Sequence, residues 1–117
     1  MRLPNYVFTL DAAIALLNGN NHATYLVREA EAGRVYVFIP ASVLAEVRAG
    51  RRTMEAVLMT PGVECIPLTE AAAIDLPDVP ESLDDRHVAL EAEWLGATVV
   101  AAAGQPWWGK GRPVLTI

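Results

Sequence analysis

Three acidic side chains, Asp11, Glu46 and Asp85, stand in settings where the sequence predicts apolar neighbours. Asp11 directly follows a β-forming run, while Glu46 and Asp85 share predicted helical faces with apolar residues. Carboxylates are rarely buried unless they are paired or bound to a cation, and three that converge repel one another. Because oxygen ligands suit Mg²⁺ or Mn²⁺, the three acids predict a divalent-cation site. Such an ion could polarise a phosphodiester and lower the pKa of a bound water for hydrolysis.

Each acid also has an alternative interpretation when it is taken singly. Asp11 could cap the helix that follows it, and Asp85 could favour the positive end of its own helix. Glu46 could extend into solvent and pair with Arg48 or Arg51. These alternatives remain open at the level of the single residue.

The segment from Ser82 to Ala103 predicts a capped helix that leads into a short buried strand. Ser82 is a typical N-cap, Gly96 ends the helix, and Thr98–Ala103 is too short for another helix. Helical spacing places Asp85 on the same face as a set of small and apolar residues, Val88, Ala89, Ala92 and Leu95. His87 is two residues from Asp85 and is expected to point away from that face, as a surface pair with Glu91.

Predicted strands alternate with predicted helices along the whole chain. The strands are Asn5–Leu10, Val35–Ile39, Val63–Leu68, Thr98–Ala103 and Val114–Ile117, and the helices are Ala12–Leu17, His22–Ala32, Ala41–Ala49, Thr53–Met59, Glu70–Ile74 and the one after Ser82. This alternation predicts a three-layer α/β/α fold with a central, mostly parallel sheet of four to five strands. Ligands of such sheets gather outside the carboxyl ends of the strands. Asp11 falls there, and Asp85 joins it if the connection Asp75–Glu81 returns the chain to that edge.

Composition limits the class of protein. A chain of 117 residues is expected to form one domain, 1–117, with a real core. Its net charge of −5 argues against broad electrostatic adhesion to nucleic acid. No apolar run is long enough to span a membrane, and Asp11 interrupts the apolar N-terminal stretch, so no secretion signal is expected. The single Cys65 predicts a buried thiol in a reducing cytoplasm.

Three stretches carry a resemblance to a known family. They are YVFTLDAAIALLNG (6–19), IPASVLAEVRAG (39–50) and SLDDRHVALEAEWLGATVV (82–100). In this order and spacing they resemble the PIN-domain family, the small metal-dependent ribonucleases that include the VapC-type toxins. The similarity extends over nearly the whole chain.

The resemblance implies a Rossmann-like sheet in which Asp11, Glu46 and Asp85 are the catalytic and metal-binding acids. It implies Mg²⁺ or Mn²⁺ as the cofactor and hydrolysis of RNA phosphodiesters as the reaction. By the same analogy, a VapC-type protein is the toxin of a type II toxin–antitoxin pair, forms a homodimer and is neutralised by an antitoxin.

The sequence departs from the family pattern at the end of this last stretch. Family members often carry a fourth acid there, in a Thr-x-Asp motif, whereas this chain has Ala101–Ala103 and no acid after Glu93. Losing one carboxylate is expected to weaken cation binding. Two rivals therefore stay open: a PIN-like domain with weakened or absent catalysis that acts as a binding or assembly module, and an unrelated α/β domain whose acids are caps.

A loop near the end of the chain combines aromatic and basic residues. Trp107 and Trp108, with Lys110 and Arg112, could stack on single-stranded RNA and steer it. The tryptophans could equally cover the last strand or form a dimer surface. The adjacent Arg51 and Arg52 could contact phosphates, although such pairs are usually solvated.

Overall fold

The five strands of the computed structural model, which describes residues 3–104, 107–109 and 111–117, form one parallel sheet. They are β1 (Asn5–Phe8), β2 (Tyr36–Pro40), β3 (Val63–Ile66), β4 (Thr98–Ala101) and β5 (Val114–Thr116). Their order across the sheet is β3-β2-β1-β4-β5. The strands at the centre of the sheet are short and apolar, as expected of strands covered on both faces. Fully buried side chains from them are Val7, Phe8, Val37, Ile39, Val99 and Val100.

The described residues form six helices, which lie between the first four strands. They are α1 (Leu10–Leu17), α2 (Asn21–Glu31), α3 (Ala41–Ala49), α4 (Glu55–Leu58), α5 (Glu70–Asp75) and α6 (Leu83–Leu95). The chain moves outward from β1 to β3 and then crosses back to β4, so right-handed crossovers put α2 and α6 on opposite faces of the sheet. The packing of α2 on β2 and β3, and of α6 on β1, β2 and β4, agrees with this arrangement. The predicted three-layer fold is confirmed.

Several element boundaries differ from those predicted. The first strand ends at Phe8 instead of Leu10, because Thr9 is extended and caps a helix that already begins at Leu10. The strand after Pro61–Gly62 ends at Ile66, and the strand after Gly96 ends at Ala101. Predicted strands ran too far because apolar residues continue past the last paired residue.

Cys65 is exposed, and the prediction of a buried thiol is wrong. Its strand, β3, lies at the edge of the sheet and, among the described strands, pairs with β2 alone. Val63 at the start of β3 is buried, while Glu64 and Cys65 are exposed. An edge strand loses cover sooner than a central one, and an apolar run in the sequence does not distinguish the two.

Glycine is required at two positions that shape the layers. Gly96 ends α6 in the left-handed conformation, with φ of 62°. Gly62 precedes β3 with φ of 83°, and a Cβ there would collide with the carbonyl oxygen of Ala30 at the end of α2. Both turns therefore depend on a residue without a side chain. Among the helices described, none has the length and apolarity to cross a membrane.

Candidate functional site

Asp11 lies in the first turn of α1, directly beyond the carboxyl end of β1, and is partly buried. It does not cap the helix. The cap is Thr9, whose Oγ1 accepts a hydrogen bond from the backbone N–H of Ala12 at 3.2 Å. The alternative interpretation of Asp11 as a capping residue is therefore wrong, and its carboxylate is not engaged by the helix in that way.

Asp85 lies in the first turn of α6, where the predicted cap Ser82 accepts a hydrogen bond from the Asp85 backbone N–H at 3.4 Å. Burial is the main cause that raises the pKa of the Asp85 carboxyl above its ordinary value. The negative charges of Asp84, Asp11 and Glu81 raise the pKa further, and only a side-chain hydrogen bond from Ser82 to the carboxyl, separate from the backbone cap, opposes them. Asp11 and Asp85, which are far apart in sequence, therefore lie near enough for their charges to interact.

Asp84 is the acid that heads the buried face of α6, with 7% of its surface exposed. The sequence predicted that Asp85 heads the buried face, but Asp85 is only partly buried. The face that α6 buries is broader than a single apolar stripe, because the helix contacts three strands and α3 at once. Sequence spacing identified the right turn of the helix but not which of two adjacent acids is the more deeply buried.

Glu46 lies on α3, the helix that begins directly after β2 and packs against both α1 and α6. Its side chain is exposed, while Val43 and Val47 of the same helix are buried. Among the described residues, Glu46 forms no ion pair with Arg48 or Arg51. The three predicted acids thus come from α3 and from the two helices that pack against it, α1 and α6, and Glu46 lies on the solvent-exposed side of α3.

A divalent cation such as Mg²⁺ or Mn²⁺ needs oxygen ligands gathered at one point. Within residues 3–104, 107–109 and 111–117, no three His, Cys, Asp or Glu side chains are gathered as a metal site. Asp11 and Asp85 supply the type of ligand that Mg²⁺ prefers, since this ion typically keeps several waters and binds through one or two carboxylates. The arrangement therefore fits a weakly held, open ion better than a closed protein cage.

A buried polar bridge joins α3 to α6 next to this site. Ser42 Oγ and His87 Nδ1 lie 2.8 Å apart and share a hydrogen bond, and His87 Nε2 lies 3.6 Å from Glu91 Oε1. His87 is fully buried, and Glu91 is 6% exposed. Burial lowers the pKa of the His87 imidazole and raises the pKa of the Glu91 carboxyl, so it favours the neutral form of each group.

The bridge corrects the prediction that His87 and Glu91 form a surface pair. The pairing at i and i+4 is present, but it faces α3 and the sheet instead of solvent. Sequence reasoning placed His87 opposite Asp85 on the helix and took that direction to be exposed. The apolar residues Val88 and Ala92 could have indicated this burial from the sequence, because they directly follow His87 and Glu91. Both are fully buried.

Trp107 and Trp108 line a cavity of about 390 Å³ between α6 and the segment that precedes β5. Their ring centroids are 5.2 Å apart with an interplanar angle of 38°. Trp107 also packs against the hydrophobic core, as the packing interpretation predicts. Arg112 lines the same cavity, whereas Lys110, which was grouped with it, lies outside the described residues.

Arg52 ties the end of α1 to the segment after α3. Its guanidinium donates to Asn18 Oδ1 at 2.5 Å and to the carbonyl oxygen of Leu17 at 3.0 Å. Arg51 adopts a left-handed backbone, with φ of 62°. The structure therefore gives Arg52 a tethering role between two loops.

Comparison with known proteins supports the fold. No family model matches the chain, and no curated protein matches it either. Among solved structures, a chain in the crystal structure of VapBC2 from Rickettsia felis, bound to a DNA fragment from their promoter, has a similar fold. The TM-score is 0.64 at 16% identity, and the match covers 96% of this chain and 98% of that one. At this identity the likeness shows the fold alone, and the predicted PIN-like architecture is confirmed.

Proposed function

We propose that this protein is a PIN-like, metal-dependent endoribonuclease and the toxin of a type II toxin–antitoxin pair. The observation that carries the proposal is the proximity of Asp11 and Asp85, whose charges interact at the carboxyl edge of a parallel sheet. Two partly buried carboxylates that repel each other are costly to maintain, and a cation relieves the repulsion. The similarity to a VapBC2 chain over nearly the full length supports the same proposal.

In this proposal Asp11, Asp85 and Glu46 hold Mg²⁺ or Mn²⁺. When bound, the ion supplies polarisation of the phosphodiester and a water of lowered pKa. Asp11 and Asp85 are held in place by capped first turns, through Thr9 and Ser82. Glu46 is exposed on a helix packed against those of the other two acids, and in this proposal its carboxylate is the third ligand.

The proposed partners follow from the same comparison. The similar chain belongs to a VapBC2 assembly, and we extend to this protein an antitoxin partner and an RNA substrate. A homodimer is part of the proposal as well. The net charge of −5 fits this assignment, because local cation-mediated contact with phosphates does not require a broadly basic surface.

The test is cleavage of single-stranded RNA by purified protein with Mn²⁺, in wild type, Asp11→Asn and Asp85→Asn. Both variants are expected to lose about 100-fold or more in rate, because each removes a ligand charge at nearly unchanged volume. Glu31→Gln, which neutralises an exposed acid at the end of α2, is the matched control and should cleave as wild type. Thermal unfolding verifies that all variants fold. Equal cleavage by wild type and both Asp variants contradicts the proposal.

A second candidate function is a PIN-like module that binds or assembles without catalysis. The observation that favours it is Ala101–Ala103, where a fourth acid is missing, together with the exposed position of Ala103 beyond β4. Calorimetric titration with Mn²⁺ separates the two functions. The nuclease proposal requires saturable binding that Asp11→Asn weakens, whereas the module requires none at millimolar Mn²⁺.

A further inference from the structure

Aromatic, small apolar and charged side chains all line the cavity beside α6. Aromatic faces come from Trp107 and Trp108, and a small apolar floor from Ala89 and Val99. Glu93 supplies a carboxylate and Arg112 a guanidinium at the polar end. A volume of about 390 Å³ falls in the range of sites that hold small ligands and not in that of extended docking grooves.

The aromatic wall is held in position by the protein. Trp107 packs against the core, and its indole lies directly over Gly109, where an added Cβ would stand 2.6 Å from Trp107 Nε1. The two rings contact each other at a centroid distance of 5.2 Å and an interplanar angle of 38°, so they do not stack in parallel. A preformed aromatic surface stacks nucleobases with little ordering cost.

The polar end of the cavity carries one hydrogen-bond acceptor, the Glu93 carboxylate, and one cation, the Arg112 guanidinium. Arg112 Nε donates to the carbonyl oxygen of Ala97 at 3.4 Å, which fixes the base of the guanidinium while its terminal nitrogens stay available. Among the described residues, Glu93 forms no ion pair with Arg112. A nucleotide matches this set: its base stacks on an indole, its exocyclic N–H groups donate to a carboxylate, and its phosphate pairs with arginine.

The helix α6 links the acidic site to the cavity, since Asp85 lies in its first turn while Ala89 and Glu93 line the cavity. Asp85, Ala89 and Glu93 follow one another at intervals of four residues and so form one line along α6. With a rise of about 1.5 Å per residue, Ala89 lies about 6 Å and Glu93 about 12 Å from Asp85 along the axis. An RNA strand that extended from Asp85 along α6 would reach the cavity that Ala89 and Glu93 line.

We propose that this cavity is a nucleotide subsite that holds an unstacked base of single-stranded RNA next to the scissile phosphate. The inference rests on the proposed function for its substrate, but it concerns binding and is measurable without cleavage. Trp107 and Trp108 stack the base, Glu93 accepts from its edge, and Arg112 contacts a phosphate. The subsite gives a chain of negative net charge a local means to hold RNA.

The test measures binding of a fluorescently labelled, single-stranded oligoribonucleotide in EDTA, with Asp11→Asn as the background so that no cleavage occurs. Adding Trp108→Ala is expected to weaken binding about tenfold or more, through loss of stacking. The matched control is Trp94→Ala, because Trp94 is a tryptophan of α6 that is 51% exposed and does not line the cavity. Trp94→Ala should bind as the background protein does.

Arg112→Gln provides a second experiment, whose result does not depend on whether Trp108→Ala folds. It should lower the slope of log affinity against log salt by about 0.7, the value for one phosphate contact to a single strand. Unchanged binding in Trp108→Ala or an unchanged slope in Arg112→Gln overturns the subsite. If Trp108→Ala binds RNA normally but no longer binds a protein that copurifies with wild type, the cavity is a protein-docking site and the inference is overturned.

The subsite and the proposed function fail separately. RNA cleavage by wild type together with normal binding by Trp108→Ala overturns the subsite and leaves the nuclease proposal standing. Binding that depends on Trp108 without any cleavage by wild type overturns the nuclease and supports the subsite.

Discussion

Two polar groups on α6, His87 and Asp85, are separated by one residue and have opposite surroundings. His87 is fully buried, bonded to Ser42 at 2.8 Å and close to Glu91. Asp85 is only partly buried and faces three other negative charges, one of which is on α1. The first group joins α6 to α3 by a hydrogen bond, whereas the like charges around the second raise the pKa of its carboxyl. The contrast shows that one helix combines a polar contact that serves the fold with a charge cluster that the fold itself does not need.

The difference follows from which neighbour each side chain meets. His87 faces α3, where Ser42 offers a hydrogen-bond partner and no charge. Asp85 faces the beginning of α1, where Asp11 offers a like charge. Natural sequences retain such unfavourable clusters mainly at sites of function, because selection for stability alone removes them. Three predictions address this contrast between a stabilising bridge and a destabilising cluster.

The largest effect is expected from removing the bridge with His87→Ala. The change leaves a cavity and removes the hydrogen-bond partner of the buried Ser42 hydroxyl, which should cost about 2–4 kcal/mol in free energy of unfolding. Urea denaturation measures the loss. His22→Ala, at an exposed histidine in the first turn of α2, is the control and should change stability by less than about 0.5 kcal/mol. Similar losses in the two variants would mean that the bridge contributes nothing.

A smaller effect is expected from pH, measured in EDTA. Burial lowers the pKa of folded His87, so the unfolded chain takes up the proton first as the pH falls. The stability from neutral His87 is present above the unfolded pKa of about 6.5 and declines as the pH falls below it. The raised pKa of Glu91 acts in the opposite direction at lower pH. His87→Gln should lack this decline, and an equal decline in that variant would contradict the assignment.

The smallest effect is expected at the acidic cluster itself. Asp85→Asn removes the charge that Asp84, Asp11 and Glu81 repel, so it should raise the midpoint of thermal unfolding in EDTA by about 1–3 °C, since solvent screens a partly exposed group. The gain should shrink at high salt, because screening weakens the repulsion that it removes. Glu31→Gln should produce no such gain, and a lower midpoint for Asp85→Asn would remove the contrast with His87.

The order of strands and helices, and the placement of Asp11 after the first strand, could be predicted from sequence. They follow from local signals, namely apolar runs, glycine stops and caps such as Ser82 that act within a few residues. The exposure of Cys65 could not be predicted, because only the position of β3 at the edge of the sheet leaves that residue uncovered. The cap at Thr9 was missed because Asp11 is an equally good capping residue by type.

The sequence by itself determined the fold class and the turns of helix that carry the acids, because hydrophobic period and capping are properties of short segments. Only the tertiary structure decided which side of α6 is buried. That choice depends on α3, which supplies Ser42 to His87, and on α1, which brings Asp11 toward Asp85. Both partners lie more than 40 residues away in the chain. Their effect reaches α6 only when the sheet has brought the three helices together, so a bridge and a charge cluster are indistinguishable in the sequence and distinct in the fold.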